Sequence, residues 1–243
     1  MAFIDEAPLS IFSFNCQSLK AHAPDLEDSI TQKFSVLLLC ETWLSNEETV
    51  NMKNFIVISQ YKRPNKRAGG VAIFKNNECT SIVTPRMDVL ASRSQLMNSE
   101  SNADIGDICA AEYQLNNCKI LLISVYISPN TPISDIIENL HRILLQYTPD
   151  SSRLINDSIN LQMIPILLCG DFNVNFSSEN AQPLLDFMEE KLLLRLVNPR
   201  NEGTTRYGTT LDAIFARHIE NIQSMLYISY CSYHKPILAT LDF

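Results

Sequence analysis

The stretch ILLCGDFNVN, Ile166–Asn175, sets the terms for the rest of the chain. Ile166, Leu167, Leu168 and Cys169 have the length and composition of a buried strand. The run stops at Gly170, and Asp171, Asn173 and Asn175 follow in quick succession. Unpaired polar groups are costly to bury, so an acid and two amides at the end of such a strand need a reason. Either the strand ends in a simple turn, or it carries a polar site.

Similar runs recur along the chain. Short, β-rich segments bounded by polar turns predict strands near 9–15, 35–40, 55–59, 69–75, 79–84, 108–115, 118–126, 164–171, 210–216, 224–230 and 236–243. The Asn116-Asn117 dipeptide between two of them reads as a hairpin turn. Residues 134–147 place Ile136, Ile137, Leu140, Ile143, Leu144 and Tyr147 on one helical face, with Ser134 as the expected N-cap. A second helix is expected over 183–194, opened by Pro183, and a shorter one near 24–34 from Leu26, Ile30 and Phe34. The polar stretches 91–107 and 150–160 read as surface loops. LLLC and ILLC look covered on both faces, as central strands under helices are. The expected fold is α/β, with two packed sheets flanked by helices in one domain spanning 1–243.

Composition narrows the function. A chain of 243 residues that is 46% hydrophobic can bury a sizeable core. No apolar run reaches membrane-span length, and the start lacks the basic-then-apolar pattern of a secretory signal. Seven cysteines without CxxC spacing read as reduced core residues of an intracellular protein, and no zinc site is expected. With 19 basic against 27 acidic residues, the surface as a whole is not basic. A local patch remains available in YKRPNKRAGG, where Lys62, Arg63, Lys66 and Arg67 cluster.

The strand ends carry the chemistry. IFSFN ends at Asn15, SVLLLC at Glu41, ILLISVY at Tyr126 and ILLCGD at Asp171, with Asn173 two residues on. TTLDAIF holds Asp212 near its start, and Ser232, Tyr233 and His234 precede the last strand. Each has a bland reading alone: a turn former, a cap, a half-buried tyrosine, a satisfied histidine. Together they suit one reaction. Glu41 and Asp171 offer hard oxygens for magnesium, or manganese. His234 with Asp212 makes a base and its orienter. Asn15, Asn173 and Tyr126 can hold phosphate oxygens. The set is equipped to hydrolyse a phosphoester.

In this order, Asn15, Glu41-Thr42, Tyr126, Gly170-Asp171-Phe172-Asn173, Leu211-Asp212 and Ser232-x-His234-x-Pro236, the sequence resembles the exonuclease–endonuclease–phosphatase superfamily. Glu41-Thr42-Trp43-Leu44, Gly69 to Ile73, Tyr126-x-Ser128-Pro129 and GDFNVN are most similar to its apurinic-endonuclease-like branch in LINE-type, non-LTR retrotransposons. The resemblance spans residues 9–243. It implies a four-layer α/β sandwich and a metal-dependent endonuclease that nicks double-stranded DNA for target-primed reverse transcription. It implies a linked reverse transcriptase and a nuclear location. Carried over by motif, Glu41 binds the metal and Asn15 assists. Asp171 and Asn173 orient water or leaving group, Tyr126 contacts the phosphate, and Asp212 holds His234. Either His234 or Asp171 is the base. GTTRYG, Gly203–Gly208, would read the target through Arg206 and Tyr207, and Ser232 would lie at the DNA.

One position departs from the pattern. Most of the superfamily has Ser-Asp-His where this chain reads Ser232-Tyr233-His234. A phenol with an ordinary pKa near ~10 is neutral and a poor magnesium ligand. This keeps open a catalytically impaired DNA-binding module, and the acidic balance keeps open another phosphodiesterase or phosphatase of the superfamily.

Overall fold

The computed structural model describes residues 8–86, 105–115, 118–147 and 164–242. Among these residues, twelve strands form two six-stranded mixed sheets. The first contains β1 (Leu9–Asn15), β2 (Val36–Cys40), β3 (Phe55–Tyr61), β4 (Val71–Asn76), β11 (Asn221–Leu226) and β12 (Ile237–Asp242), ordered β11-β12-β1-β2-β4-β3. The second contains β5 (Ile82–Pro85), β6 (Gly106–Leu115), β7 (Cys118–Ile127), β8 (Ile166–Asp171), β9 (Arg195–Leu196) and β10 (Asp212–Arg217), ordered β5-β6-β7-β8-β10-β9. At the centre of each lies one parallel pair, β1 with β2 and β7 with β8. Every other pairing is antiparallel.

The strands' two faces explain why LLLC and ILLC are apolar throughout. Val36, Leu38 and Cys40 face the second sheet, where Leu167, Cys169 and Ile214 meet them in the inter-sheet core. Leu37 and Leu39 point the other way, under Leu19, Leu26 and Phe34. On the far side, Ile166, Leu168 and Phe215 pack beneath α2 (Ile133–Leu144) and α3 (Gln182–Leu192). The result is the expected four layers, with two packed sheets between outer helical coverings.

Several local expectations give way. The segment 24–34 forms two short 3-10 turns, Asp25–Glu27 and Thr31–Lys33, preceded by a four-residue α1 at Leu19–His22. Asp28 breaks the helix, because its carboxylate captures the backbone N–H groups of Ile30 and Thr31. Ser134 lies inside α2, whose N-cap position is Pro132, and its hydroxyl bonds Asp135 instead. The strand placed at 224–230 runs over Asn221–Leu226 with alternating exposure, as an edge strand does. Two-residue β9 was too short to show a period. The Asn116-Asn117 turn and the 150–160 loop lie outside the described residues, as does 91–104. The last residues of the expected 91–107 loop instead open β6, and Asp107 is buried.

Candidate active site

Both parallel pairs end on one rim. Asn15 closes β1 opposite Cys40 of β2, and Asp171 closes β8 opposite Tyr126 of β7. Asp212 opens β10 directly across from Asp171. Gly170 makes this crowding possible. At φ +151°, a Cβ there would stand 1.8 Å from the Val125 carbonyl oxygen. Any side chain would push β8 off β7.

Asp171 is the hub. Its Oδ2 accepts from Asn15 Nδ2 at 2.8 Å, which stitches the two sheets together. Its Oδ1 accepts from the Asn173 backbone N–H at 2.9 Å. Asn173 Nδ2 donates to the Ile127 carbonyl at 2.8 Å. Asn173 and Glu41 both sit in the left-handed region, at φ 50° and 51°. Asparagine tolerates that geometry, whereas for glutamate it is strain of the kind that clusters at functional sites.

His234 is held from behind. Its Nδ1 lies 2.8 Å from Asp212 Oδ2, which also accepts from Thr204 Oγ1 at 2.8 Å. Its Nε2 is buried, has no hydrogen-bond partner, and faces Asp171 Oδ2 at 3.7 Å. A buried nitrogen without a partner is expensive and invites an explanation in ligand binding. Tyr126 is buried, and that burial together with the Glu41 carboxylate keeps its phenol protonated well above the usual range.

Charge on this rim is one-sided. Burial and then Asp212 push Asp171 up to about 7, against the pull of His234. Burial opposes the His234 imidazolium, but Asp212, Asp171 and Glu41 outweigh it and raise the pKa above 6.5. Among the described residues, no lysine or arginine is ion-paired to Glu41, Asp171 or Asp212. The one group so paired with them among the described residues is His234. Asp171, Asp212 and His234 offer ligating atoms within 4.8 Å of one another, and Glu41 is not in that trio. Its Oε2 accepts instead from the Trp43 indole at 3.1 Å.

The outlying candidates fare unevenly. Arg63 is buried rather than displayed: its backbone N–H and Nε donate to Asp107 Oδ1 at 2.8 and 3.1 Å, and its Nη1 to Ser128 Oγ at 2.7 Å. It anchors the basic loop, with its guanidinium turned inward. Lys62 is half-buried, while Lys66 and Arg67 are exposed. That loop borders the rim, since the Gly69 and Gly70 carbonyls accept from Trp43 and Thr42 N–H groups. Ser232 is buried as well, donating to Gln17 Oε1 at 3.1 Å and accepting from the His234 N–H. Tyr207 is 81% exposed beside the site. The Arg206 guanidinium donates to the carbonyls of Ser229 and Tyr230. If Lys62 and Arg67 contact phosphates, alanine at both should lower the salt slope of DNA binding by about two units. An unchanged slope would move the DNA surface elsewhere.

Gln17, Thr204 and Asp107 were missed in sequence. Gln17 ties the loop after Asn15 to Ser232 and, at 3.4 Å, to the Tyr233 N–H. Its place two residues after Asn15 was the available signal. Asp107 had none, because its partner Arg63 is distant in sequence.

No protein-family model and no curated protein matches this sequence. Solved structures do match. The endonuclease domain of TRAS1, a telomere-specific non-LTR retrotransposon, superposes with a TM-score of 0.64 at 16% identity, covering 97% of this chain and 98% of that one. An AP endonuclease, LMAP from Leishmania major, gives 0.61 at 14% identity over 99% and 90%. An AP endonuclease from Archaeoglobus fulgidus gives 0.59 at 17% identity over 97% and 100%. This chain has the fold of those nucleases. Among its described residues, no helix is long and apolar enough to cross a membrane.

Proposed function

We propose that this chain is a divalent-metal-dependent endonuclease of the exonuclease–endonuclease–phosphatase superfamily, nicking duplex DNA as the endonuclease of a LINE-type retrotransposon does to prime reverse transcription. One observation carries the reading. A buried imidazole, oriented by Asp212, aims an unpartnered Nε2 past Asp171 on a rim with three carboxylates.

Those carboxylates, without lysine or arginine partners, fit a hard cation such as Mg²⁺ or Mn²⁺. Glu41 would hold it, with Asn15 assisting. When bound, the ion supplies positive charge for the phosphate oxygens. The protein's own groups do the rest. Asp171, deprotonated above about 7 and fixed by Asn15 and Asn173, takes the proton of the attacking water. His234 donates to a phosphate oxygen and offsets the charge that grows there, with Asp212 stabilising the imidazolium. Tyr126, kept protonated, donates to the phosphate or departing oxygen.

Supercoiled plasmid should be nicked when Mg²⁺ is present, and chelator should stop it. Glu41→Gln should abolish nicking and reduce the thermal stabilisation that Mg²⁺ gives the wild type. Chelator-resistant nicking would overturn the reading.

Tyr233 need not mean a decayed site. Its ring lies over His234 with centroids 4.2 Å apart, and 5.8 Å from Tyr207. Burial, then Asp171 and Glu41, raise its phenol to about 12, so it stays neutral. Tyr233→Asp would set a new carboxylate beside Asp171 and Asp212, where like charges repel. It should leave cleavage unchanged or slower, whereas Tyr233→Phe preserves the ring contact and removes only the phenol hydroxyl. A several-fold gain for Tyr233→Asp would mark the natural domain as damaged.

A further inference from the structure

A second cluster lies on the outer face of the first sheet, built from both ends of the chain. His22 closes α1, Asp25 opens the following 3-10 turn, and Cys231 precedes the Ser232–His234 turn. One ligating atom from each lies within 4.8 Å of the other two. His22 Nδ1 and Asp25 Oδ2 are 3.0 Å apart, and the Cys231 sulfur is 3.1 Å from Ser229 Oγ. A histidine–aspartate pair at this spacing is ordinarily a surface contact of little worth. The thiol arriving from the far end of the chain makes it something else.

We infer that His22, Asp25 and Cys231 form a binding site for a transition-metal ion of the zinc class, separate from the catalytic rim. Imidazole, carboxylate and thiolate together select Zn²⁺ over Mg²⁺. In a tetrahedral site with bonds of roughly 2.0–2.3 Å, neighbouring ligand atoms stand about 3.5 Å apart. The observed spread closes to that with small rotations of half-exposed side chains. Asp25 and Cys231 also line a groove of ≈ 320 Å³, which gives an ion its approach and leaves a fourth position for water. Binding replaces the thiol proton with the metal and releases one proton to solvent. The net charge of thiolate and carboxylate matches that of the ion.

Such an ion would clamp two segments that the Gln17–Ser232 bond already joins. One follows Asn15 and the other carries His234. Zinc here steadies the catalytic turn from outside without touching substrate. CxxC spacing could not reveal the site, because its thiol and imidazole come from opposite ends of the sequence.

The 243-residue chain, stripped with chelator and held in excess Mg²⁺ to occupy the catalytic carboxylates, is titrated with Co²⁺ as a spectroscopic probe. The expected result is a near-ultraviolet thiolate-to-cobalt band that saturates at one ion per chain and is displaced by Zn²⁺. Cys231→Ser should lose the band. His22→Gln, a change at a partly exposed side chain, should weaken Co²⁺ binding at least about tenfold while circular dichroism stays native. No band in the wild type, a band that survives Cys231→Ser, or an unchanged affinity in His22→Gln would overturn the site.

Discussion

His234→Ala is expected to slow nicking at least about a hundredfold, since removing a positioned acid or base typically costs about 10²–10⁴ in rate. The geometry argues for the upper part of that range. The ring is buried, its Nδ1 is fixed to Asp212 at 2.8 Å, and its Nε2 has no protein group to satisfy it. Asp212→Asn should lose nearly as much: its amide oxygen can still accept from Thr204 Oγ1 and His234 Nδ1, but the negative charge that stabilises the His234 imidazolium is gone. The double variant should be little worse than either, as groups acting as one unit are not additive. Additive losses would mean the two work separately. The pH profile gives an independent reading. Asp171, raised to about 7, holds its proton below that pH, so cleavage should climb through neutrality. Removing the Asp212 charge favours ionised Asp171, so Asp212→Asn should move the acid limb to lower pH. A limb that stays put would take Asp171 out of the base role.

Arg63→Ala is expected to destabilise the fold by about 3–5 kcal/mol, the usual cost of leaving a buried charge without its partner. Asp107 is fully enclosed, with Arg63 on Oδ1 and the Gly70 N–H on Oδ2. Adding Asp107→Asn to Arg63→Ala should recover part of the loss by removing the stranded charge. Lysine at 63 should rescue incompletely, since one ammonium cannot copy the donors aimed at Asp107 and Ser128. Chemical denaturation measures all three. If Arg63→Ala unfolds like the wild type and instead weakens DNA binding, the arginine belongs with Lys62 and Arg67 as a phosphate contact.

The sequence by itself reached the strands, and through them the rim. Period-two and all-apolar runs register burial directly, because a strand's side chains alternate faces whatever lies above them. Polar residues at the ends of such runs, Asn15, Asp171 and His234 among them, were therefore visible as a set. The terminating Gly170 was visible too, though not the 1.8 Å approach that requires it. Local competition was less legible. Asp28 turns an expected helix into two 3-10 turns by a side-chain bond that periodicity does not encode.

What only the tertiary structure decided is which polar groups face one another. Four basic residues within six positions looked equivalent, yet burial against Asp107 made Arg63 a structural anchor and left Lys66 and Arg67 exposed. Ser232 went inward to Gln17, and Cys231 arrived beside His22 and Asp25. Hydrogen bonds, ion pairs and metal ligation act over a few ångströms between residues far apart in the chain. Their partners are fixed only when β1 pairs with β12, which joins the chain's ends, and when the two sheets pack, which brings Asp107 to Arg63.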